Sequence, residues 1–223
     1  MKLFQYLNYF FFLAFNWNWR IAFITLKQEI AGEKKYGINT TGADELKKLK
    51  SKGINISHST IYMPVTYKII EDALNQINIR NKKHFLDIGS GKGRALCVAA
   101  CKGFKKVSGV DFSLKFCEQA LANLDKIKER IPDLVFDVYN NDAAEFDIAE
   151  DIDCIFLFNP FDEVIMKIVA DNIDESLRSN KREMNIIYAN PLYKKLFAEK
   201  GFHEIYHNKN HEYFEVSVLS FRR

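Results

Sequence analysis

The stretch Phe85-Leu86-Asp87-Ile88-Gly89-Ser90-Gly91-Lys92-Gly93-Arg94 places a glycine-rich turn between a short apolar run and a helical pattern. Glycines at alternate positions are typical of a tight turn whose backbone adopts positive φ angles and approaches a ligand closely. A dinucleotide-binding turn has the spacing G-x-G-x-x-G, whereas here Gly93 comes one residue early and Arg94 takes the third glycine's place. Asp87 would also repel a pyrophosphate, while it suits a cationic amino-acid group. The stretch therefore predicts a ligand-binding turn and disfavours NAD.

Apolar, β-prone runs alternate with helical periods along the rest of the chain. Such alternation is typical of βαβ units in a parallel sheet. The last two runs are separated only by Asn208-Lys209-Asn210, a hairpin-type connection that makes the final strand antiparallel. We therefore predict an α/β fold with a doubly wound, seven-stranded, mostly parallel sheet whose last strand is antiparallel, preceded by an N-terminal helical extension. The predicted strands are residues 84–87, 107–110, 134–139, 154–158, 185–188, 202–207 and 213–221.

Asp87 with its glycine turn resembles the first motif of class I S-adenosylmethionine-dependent methyltransferases, and the resemblance covers about residues 60–223. In that family the turn wraps the methionine part of the cofactor. An acid ending the second strand holds the ribose hydroxyls, and an acid after the third strand contacts the adenine amino group. Asp111 and Asp142 stand at these two positions, although a helix N-terminal charge and a loop aspartate are the alternative interpretations. The resemblance implies S-adenosylmethionine as cofactor.

A fourth motif, Asn159-Pro160-Phe161, follows an apolar strand at the sheet edge where open α/β sheets bind ligands. It is similar to a shortened form of the Asn-Pro-Pro-Tyr/Phe signature of methyltransferases that act on planar amino groups, with the second proline absent. In those enzymes the Asn carboxamide and the proline carbonyl accept hydrogen bonds from the nitrogen. The resemblance thus implies catalytic roles for these three residues. Alternatively, Asn159 caps the helix that begins near Asp162.

The segment Ile61-Tyr62-Met63-Pro64-Val65 is similar to a Tyr/Phe-x-Pro segment of a subgroup that includes the ATP-synthase c-subunit lysine methyltransferases. There the segment covers the cofactor and shapes the substrate channel, so Tyr62 is either a cofactor contact or a packing aromatic. Together the resemblances imply a set of cofactor contacts. These are Tyr62, Asp87, Gly89, Ser90, Gly91, Gly93, Asp111, Phe112, Asp142, Ala143 and Asn159.

Composition excludes several classes of protein. With 48% hydrophobic and 27% charged residues, the 223-residue chain has the proportions of a globular protein rather than a disordered one. A net charge of +3 is too small for a protein that wraps duplex DNA through its phosphates. None of the four cysteines stands in a C-x-x-C pair, which predicts no metal site and a reducing, cytoplasmic location.

The first 23 residues hold 10 of the 31 aromatic residues. The charge-free stretch of residues 3–19 is short and interrupted by polar residues, which disfavours a membrane-spanning helix. Two interpretations stay open: an aromatic helix docked on the main domain or on a second subunit, and an amphipathic helix peripheral to a membrane. We predict a helical extension over residues 1–60 and a methyltransferase domain over residues 61–223.

These features predict a methyltransferase that modifies an amino group, with a protein lysine as the favoured acceptor because of the resemblance around Tyr62. Two rivals remain: a methyltransferase acting on RNA or DNA, and a non-catalytic module that keeps the cofactor fold. The basic excess within residues 1–60, nine Lys or Arg against four Asp or Glu, is too local to favour nucleic acid.

Overall fold

The computed structural model describes residues 2–42, 64–78, 83–158, 161–209 and 215–222. Within these ranges seven strands form one sheet in the order β3-β2-β1-β4-β5-β7-β6. The strands are β1 His84–Ile88, β2 Lys106–Asp111, β3 Val135–Asn140, β4 Cys154–Phe158, β5 Met184–Ala189, β6 His203–Lys209 and β7 Glu215–Phe221. The first five strands pair in parallel, and β7 is antiparallel to both β5 and β6. The predicted sheet is confirmed, including its single reversed strand.

Helices precede the sheet and connect its parallel strands. In the described ranges they are α1 Lys2–Asn16, α2 Trp19–Tyr36, α3 Tyr67–Leu74, α4 Arg94–Cys101, α5 Leu114–Lys128, α6 Glu163–Ser179 and α7 Lys194–Ala198. Two apolar clusters fill the space between helices and sheet: one contains residues of α3, α4 and α5, and the other contains residues of α6 and α7. Because both faces of the sheet are covered, all five residues of β1 are buried.

Helices α1 and α2 form an antiparallel pair with a small apolar cluster of its own. Asn18 directly precedes α2 as its N-cap, where its side chain accepts a hydrogen bond from Ile21 N at 2.8 Å. Gly37 ends α2 in the left-handed region, with φ 74°. Among the described residues, no helix is both long enough and apolar enough to cross a bilayer. The boundary at residues 60 and 61 stays a prediction, since it falls in the range 43–63 outside the described residues.

Candidate functional site

The glycine turn has the backbone conformation that its sequence predicts. Gly89, Gly91 and Gly93 have φ angles of 80°, 52° and 76°, a region that side chains disfavour. Gly93 is also the residue before α4, where an added Cβ atom would come within 2.9 Å of the Ala120 Cβ atom on α5. The last glycine therefore permits close packing of two helices, whereas Gly89 is exposed at the edge of the sheet.

The backbone amides of this turn are engaged by the neighbouring strand. Gly89 N and Ser90 N donate to the Val110 carbonyl at 2.9 and 3.0 Å. Gly91 N donates to Asp111 Oδ2 at 2.8 Å. A phosphate-binding loop directs such amides toward its ligand, whereas here they hold the turn against β2. The geometry thus agrees with the rejection of a dinucleotide that the spacing indicates.

Two buried carboxylates lie side by side at this edge of the sheet. Asp87 is 4% exposed, and both burial and the nearby charge of Asp111 raise its pKa well above the usual range. Burial raises the pKa of Asp111 to about 6, although hydrogen bonds from the Ser113 and Gly91 amides oppose the shift. A cationic or hydroxyl-bearing ligand would relieve the repulsion between the two groups and stabilise their charged forms.

The third predicted acid lies on the surface beyond β3. Asp142 is exposed, and its Oδ1 atom accepts a hydrogen bond from Ala144 N at 2.9 Å, while the adjacent Ala143 is buried. Phe112 is half-buried after β2. Asp87, Asp111 and Asp142 thus come at or after the carboxyl ends of three neighbouring strands, as the sequence predicts. The fold brings the predicted cofactor contacts of these three strands to one edge of the sheet.

The predicted catalytic motif is only partly described. Phe161 is buried and belongs to the apolar cluster that also contains Leu157 and Tyr188. Asn159, Pro160 and Tyr62 lie outside the described residues, so their predicted roles stay predictions.

A buried polar network that the sequence analysis missed joins the glycine turn to α2. Arg94, the first residue of α4, donates from Nη1 to Glu29 Oε1 at 2.7 Å and from Nη2 to Glu29 Oε2 at 2.5 Å. Its Nε atom donates to Thr40 Oγ1 at 2.8 Å, and its guanidinium lies over the Tyr67 ring. Glu29 is fully buried and Arg94 is 4% exposed. The pair therefore ties the N-terminal helices to the residue that directly follows the turn.

Further contacts fix the loop after α2 against the same turn. Glu33 Oε1 accepts hydrogen bonds from the Thr40 and Thr41 amides, each at 2.8 Å. Asn123 of α5 donates from its amide to the Lys92 carbonyl at 3.0 Å and to the Asn39 carbonyl at 3.2 Å. A signal for this network existed in the sequence, because Glu29 and Glu33 are four residues apart and so share one face of a helix.

Comparison with known proteins shows the family. The family model for histone methylation protein DOT1 matches residues 40–218. The chain belongs to the DOT1 family. It is therefore an S-adenosylmethionine-dependent methyltransferase, which confirms the predicted enzyme class and cofactor. No curated protein sequence matches this DOT1-family chain, and the resemblance to the c-subunit lysine methyltransferases is unconfirmed.

Solved structures share the fold of this DOT1-family chain at low sequence identity. An RNA methyltransferase from Salinibacter ruber, in complex with S-adenosyl-L-homocysteine, is 14% identical with a TM-score of 0.50, covering 71% of this chain and 93% of that one. A SAM-dependent methyltransferase from Aquifex aeolicus is 13% identical with a TM-score of 0.51, covering 68% and 88%. StiE O-MT residues 942–1257 are 17% identical to this chain, with a TM-score of 0.49. The match covers 61% of this chain and 51% of that one, so the chain spans about half of its length.

The described residues fit S-adenosylmethionine in two respects. The Ser90 hydroxyl is buried in the turn without a hydrogen-bond partner among the described residues, so it is free to bond a ligand. The Asp87 and Asp111 carboxylates suit the cofactor's ammonium group and ribose hydroxyls. Gly109 of β2 lies against the glycine turn. A Cβ atom at this position would come within 2.8 Å of Ser90 Oγ, so only glycine lets the turn lie this close to β2.

Proposed function

We propose that this methyltransferase transfers a methyl group from S-adenosylmethionine to the side-chain nitrogen of a lysine in a protein. The observation that carries the proposal is the family match, because the family is described as histone methylation proteins and its acceptors are thus proteins. The amino-group signature that Asn159-Pro160-Phe161 resembles supports nitrogen as the attacking atom.

The cofactor supplies an electrophilic methyl group on a positively charged sulfur. We propose that Asp87, Ser90 and Asp111 bind and orient the cofactor, together with the backbone of Gly89 and Gly91. Asp142, Ala143 and Phe112 would flank its adenosine part, and Tyr62 would cover it. Since the leaving sulfur already carries positive charge, the protein contributes mainly by alignment and by exclusion of water.

A lysine ammonium must lose its proton before the nitrogen can attack. Burial of an ammonium in apolar surroundings lowers its pKa and favours the neutral amine. Phe161 lies buried in the apolar cluster beside the carboxyl end of β4, so a lysine that reaches the cofactor past this residue would be desolvated. We propose that Phe161 lines this path and that Asn159 and Pro160 accept hydrogen bonds from the amine.

The test is transfer of tritiated methyl groups from S-adenosylmethionine into cell extract, followed by separation into protein, nucleic acid and small molecules. We expect label in the protein fraction and, after acid hydrolysis, in methylated lysine. At a limiting concentration of S-adenosylmethionine, Asp111→Asn should strongly lower the label, whereas Asp133→Asn, the same change at an exposed position before β3, should not. Label that is removed by ribonuclease would identify an RNA methyltransferase instead, and label only in small molecules would overturn the choice of a protein acceptor.

A further inference from the structure

Helices α1 and α2 expose a continuous aromatic and aliphatic surface on the side away from the domain. On α1, exposed apolar residues recur every four positions and so form one stripe, Leu3, Leu7, Phe11 and Phe15. On α2, Trp19 is 58% exposed and Phe23 is 66% exposed. The ring centroids of Phe11 and Phe15 each lie 6.3 Å from that of Trp19, so the two helices contribute to a single patch.

Burial explains why this surface does not belong to the core. The opposite face of α2 carries the residues that contact the domain, among them Glu29 and Tyr36, which are buried. Docking of α2 therefore uses one face and leaves the aromatic face uncovered. Single exposed apolar residues need no explanation, but a contiguous set of this kind marks an interaction surface.

The charges around the patch are basic. Arg20, Lys27 and Lys34 recur every seven residues on α2, a spacing that places them on one exposed stripe beside Trp19 and Phe23. The two acidic residues of α2, Glu29 and Glu33, are both buried and hydrogen-bonded. The exposed charged side chains described on α1 and α2 are thus all basic.

We propose that this surface, Phe11, Phe15, Trp19 and Phe23 with Arg20, Lys27 and Lys34, lies in the headgroup region of an anionic lipid bilayer. Aromatic rings enter the boundary between headgroups and acyl chains, and a neighbouring basic stripe is attracted to anionic headgroups.

Charge favours the lipid over a second copy of the chain. A symmetric dimer joined through this patch would bring two equal basic stripes together, and like charges across an interface oppose association. An anionic bilayer instead complements the same stripe. The inference is independent of which acceptor the enzyme methylates.

The test is flotation of the full chain with phosphatidylcholine vesicles, with and without phosphatidylserine. We expect binding to the anionic vesicles at least about tenfold stronger than to the neutral ones and weakened by salt. The triple variant Phe15→Gln/Trp19→Gln/Phe23→Gln should lose binding. The control variant Val164→Gln/Leu192→Gln should keep binding. Its two side chains are 61% and 63% exposed and lie on α6 and in the loop before α7.

A second variant separates the contribution of charge. Arg20→Gln/Lys27→Gln/Lys34→Gln should lose the preference for phosphatidylserine and keep its melting temperature, because these side chains are exposed. Equal binding to neutral and anionic vesicles would overturn the role of the basic stripe. A dimer in light scattering that the aromatic variant abolishes, without vesicle binding by the wild type, would assign the patch to a second copy and overturn the proposal.

Discussion

Replacement of Glu29 by Gln tests whether the N-terminal helices are an energetic part of the cofactor-binding fold. Glu29 accepts two hydrogen bonds from the Arg94 guanidinium, and it shares the single proton of the Thr41 hydroxyl, 2.9 Å away, with Glu33 at 2.7 Å. The glutamine side chain has the same size as that of glutamate and keeps one acceptor oxygen. Its NH2 group, however, replaces the second oxygen and faces the Arg94 guanidinium. The buried guanidinium would then lose the negative charge of the carboxylate that binds it through two hydrogen bonds.

The expected cost follows from the burial of the pair. Removing one partner of a buried ion pair costs about 3–5 kcal/mol, against a total stability of about 5–15 kcal/mol for an ordinary domain. With a urea slope of about 2–3 kcal/mol/M for a chain of this size, the unfolding midpoint of Glu29→Gln should fall by about 1–2 M. Urea unfolding followed by circular dichroism measures this shift.

Two further variants identify the physical cause. Glu175→Gln makes the same substitution at an exposed position of α6 and should leave the midpoint unchanged. The double variant Glu29→Leu/Arg94→Met should be more stable than Glu29→Gln, because no charge stays buried without a partner. A loss below about 1 kcal/mol in Glu29→Gln would refute the reasoning, since it would mean that water or movement of the helices compensates the arginine.

The remaining predictions concern the turn and its acids. Asp87→Asn should raise the melting temperature at pH 7 by about 2–4 °C or more, because it removes a carboxylate whose ionisation burial opposes, and calorimetry should show weakened S-adenosylhomocysteine binding. Asp111→Asn should weaken S-adenosylhomocysteine binding by about 1–3 kcal/mol, whereas Asp133→Asn should bind this ligand as the wild type does. Since the pKa of Asp111 rises to about 6 on folding, the native state binds the extra proton between about pH 4 and 6. The contribution of Asp111 to stability should therefore fall as pH rises through this window, so Asp111→Asn should gain stability relative to the wild type in urea unfolding. Gly93→Ala should destabilise the fold by about 1–3 kcal/mol more than Gly37→Ala, because both positions have nearly the same positive φ but only Gly93 meets another helix.

The sequence predicted those features in which chemistry and chain order coincide. The central strands β1, β4 and β5 are short, mainly apolar runs beside helical periods, and Asp87, Asp111 and Asp142 each stand near or just after a strand end. Because the carboxyl ends of parallel strands meet at one edge, their closeness follows from topology alone. The positive φ angles of the turn could also be predicted from the sequence. Glycine adopts such angles without steric cost, and three glycines at alternate positions are typical of a turn that needs them.

The network around Arg94 could not be predicted in this way. Glu29 and Arg94 are 65 residues apart, and no local pattern pairs one acid with one base at such a separation. In the sequence, Arg94 bears only on the choice of ligand. It occupies the position of the third glycine of a dinucleotide-binding turn and so disfavours that interpretation. Its actual partners depend on how α2 packs on the domain, which is a property of tertiary structure.

The same packing connects the cofactor turn with the outer surface of the helix pair. Helix α2 directs both of its acids inward, where Glu29 pairs with Arg94 and Glu33 accepts hydrogen bonds from the Thr40 and Thr41 amides. Its outward side is therefore left with basic groups beside exposed aromatic rings. The inward orientation of the two acids thus has two consequences. It fixes the glycine turn, and it leaves the basic side chains on the outer side of α2 without acidic neighbours from the same helix. Substitutions that loosen Glu29 should consequently disturb the cofactor site and the position of the basic aromatic surface together.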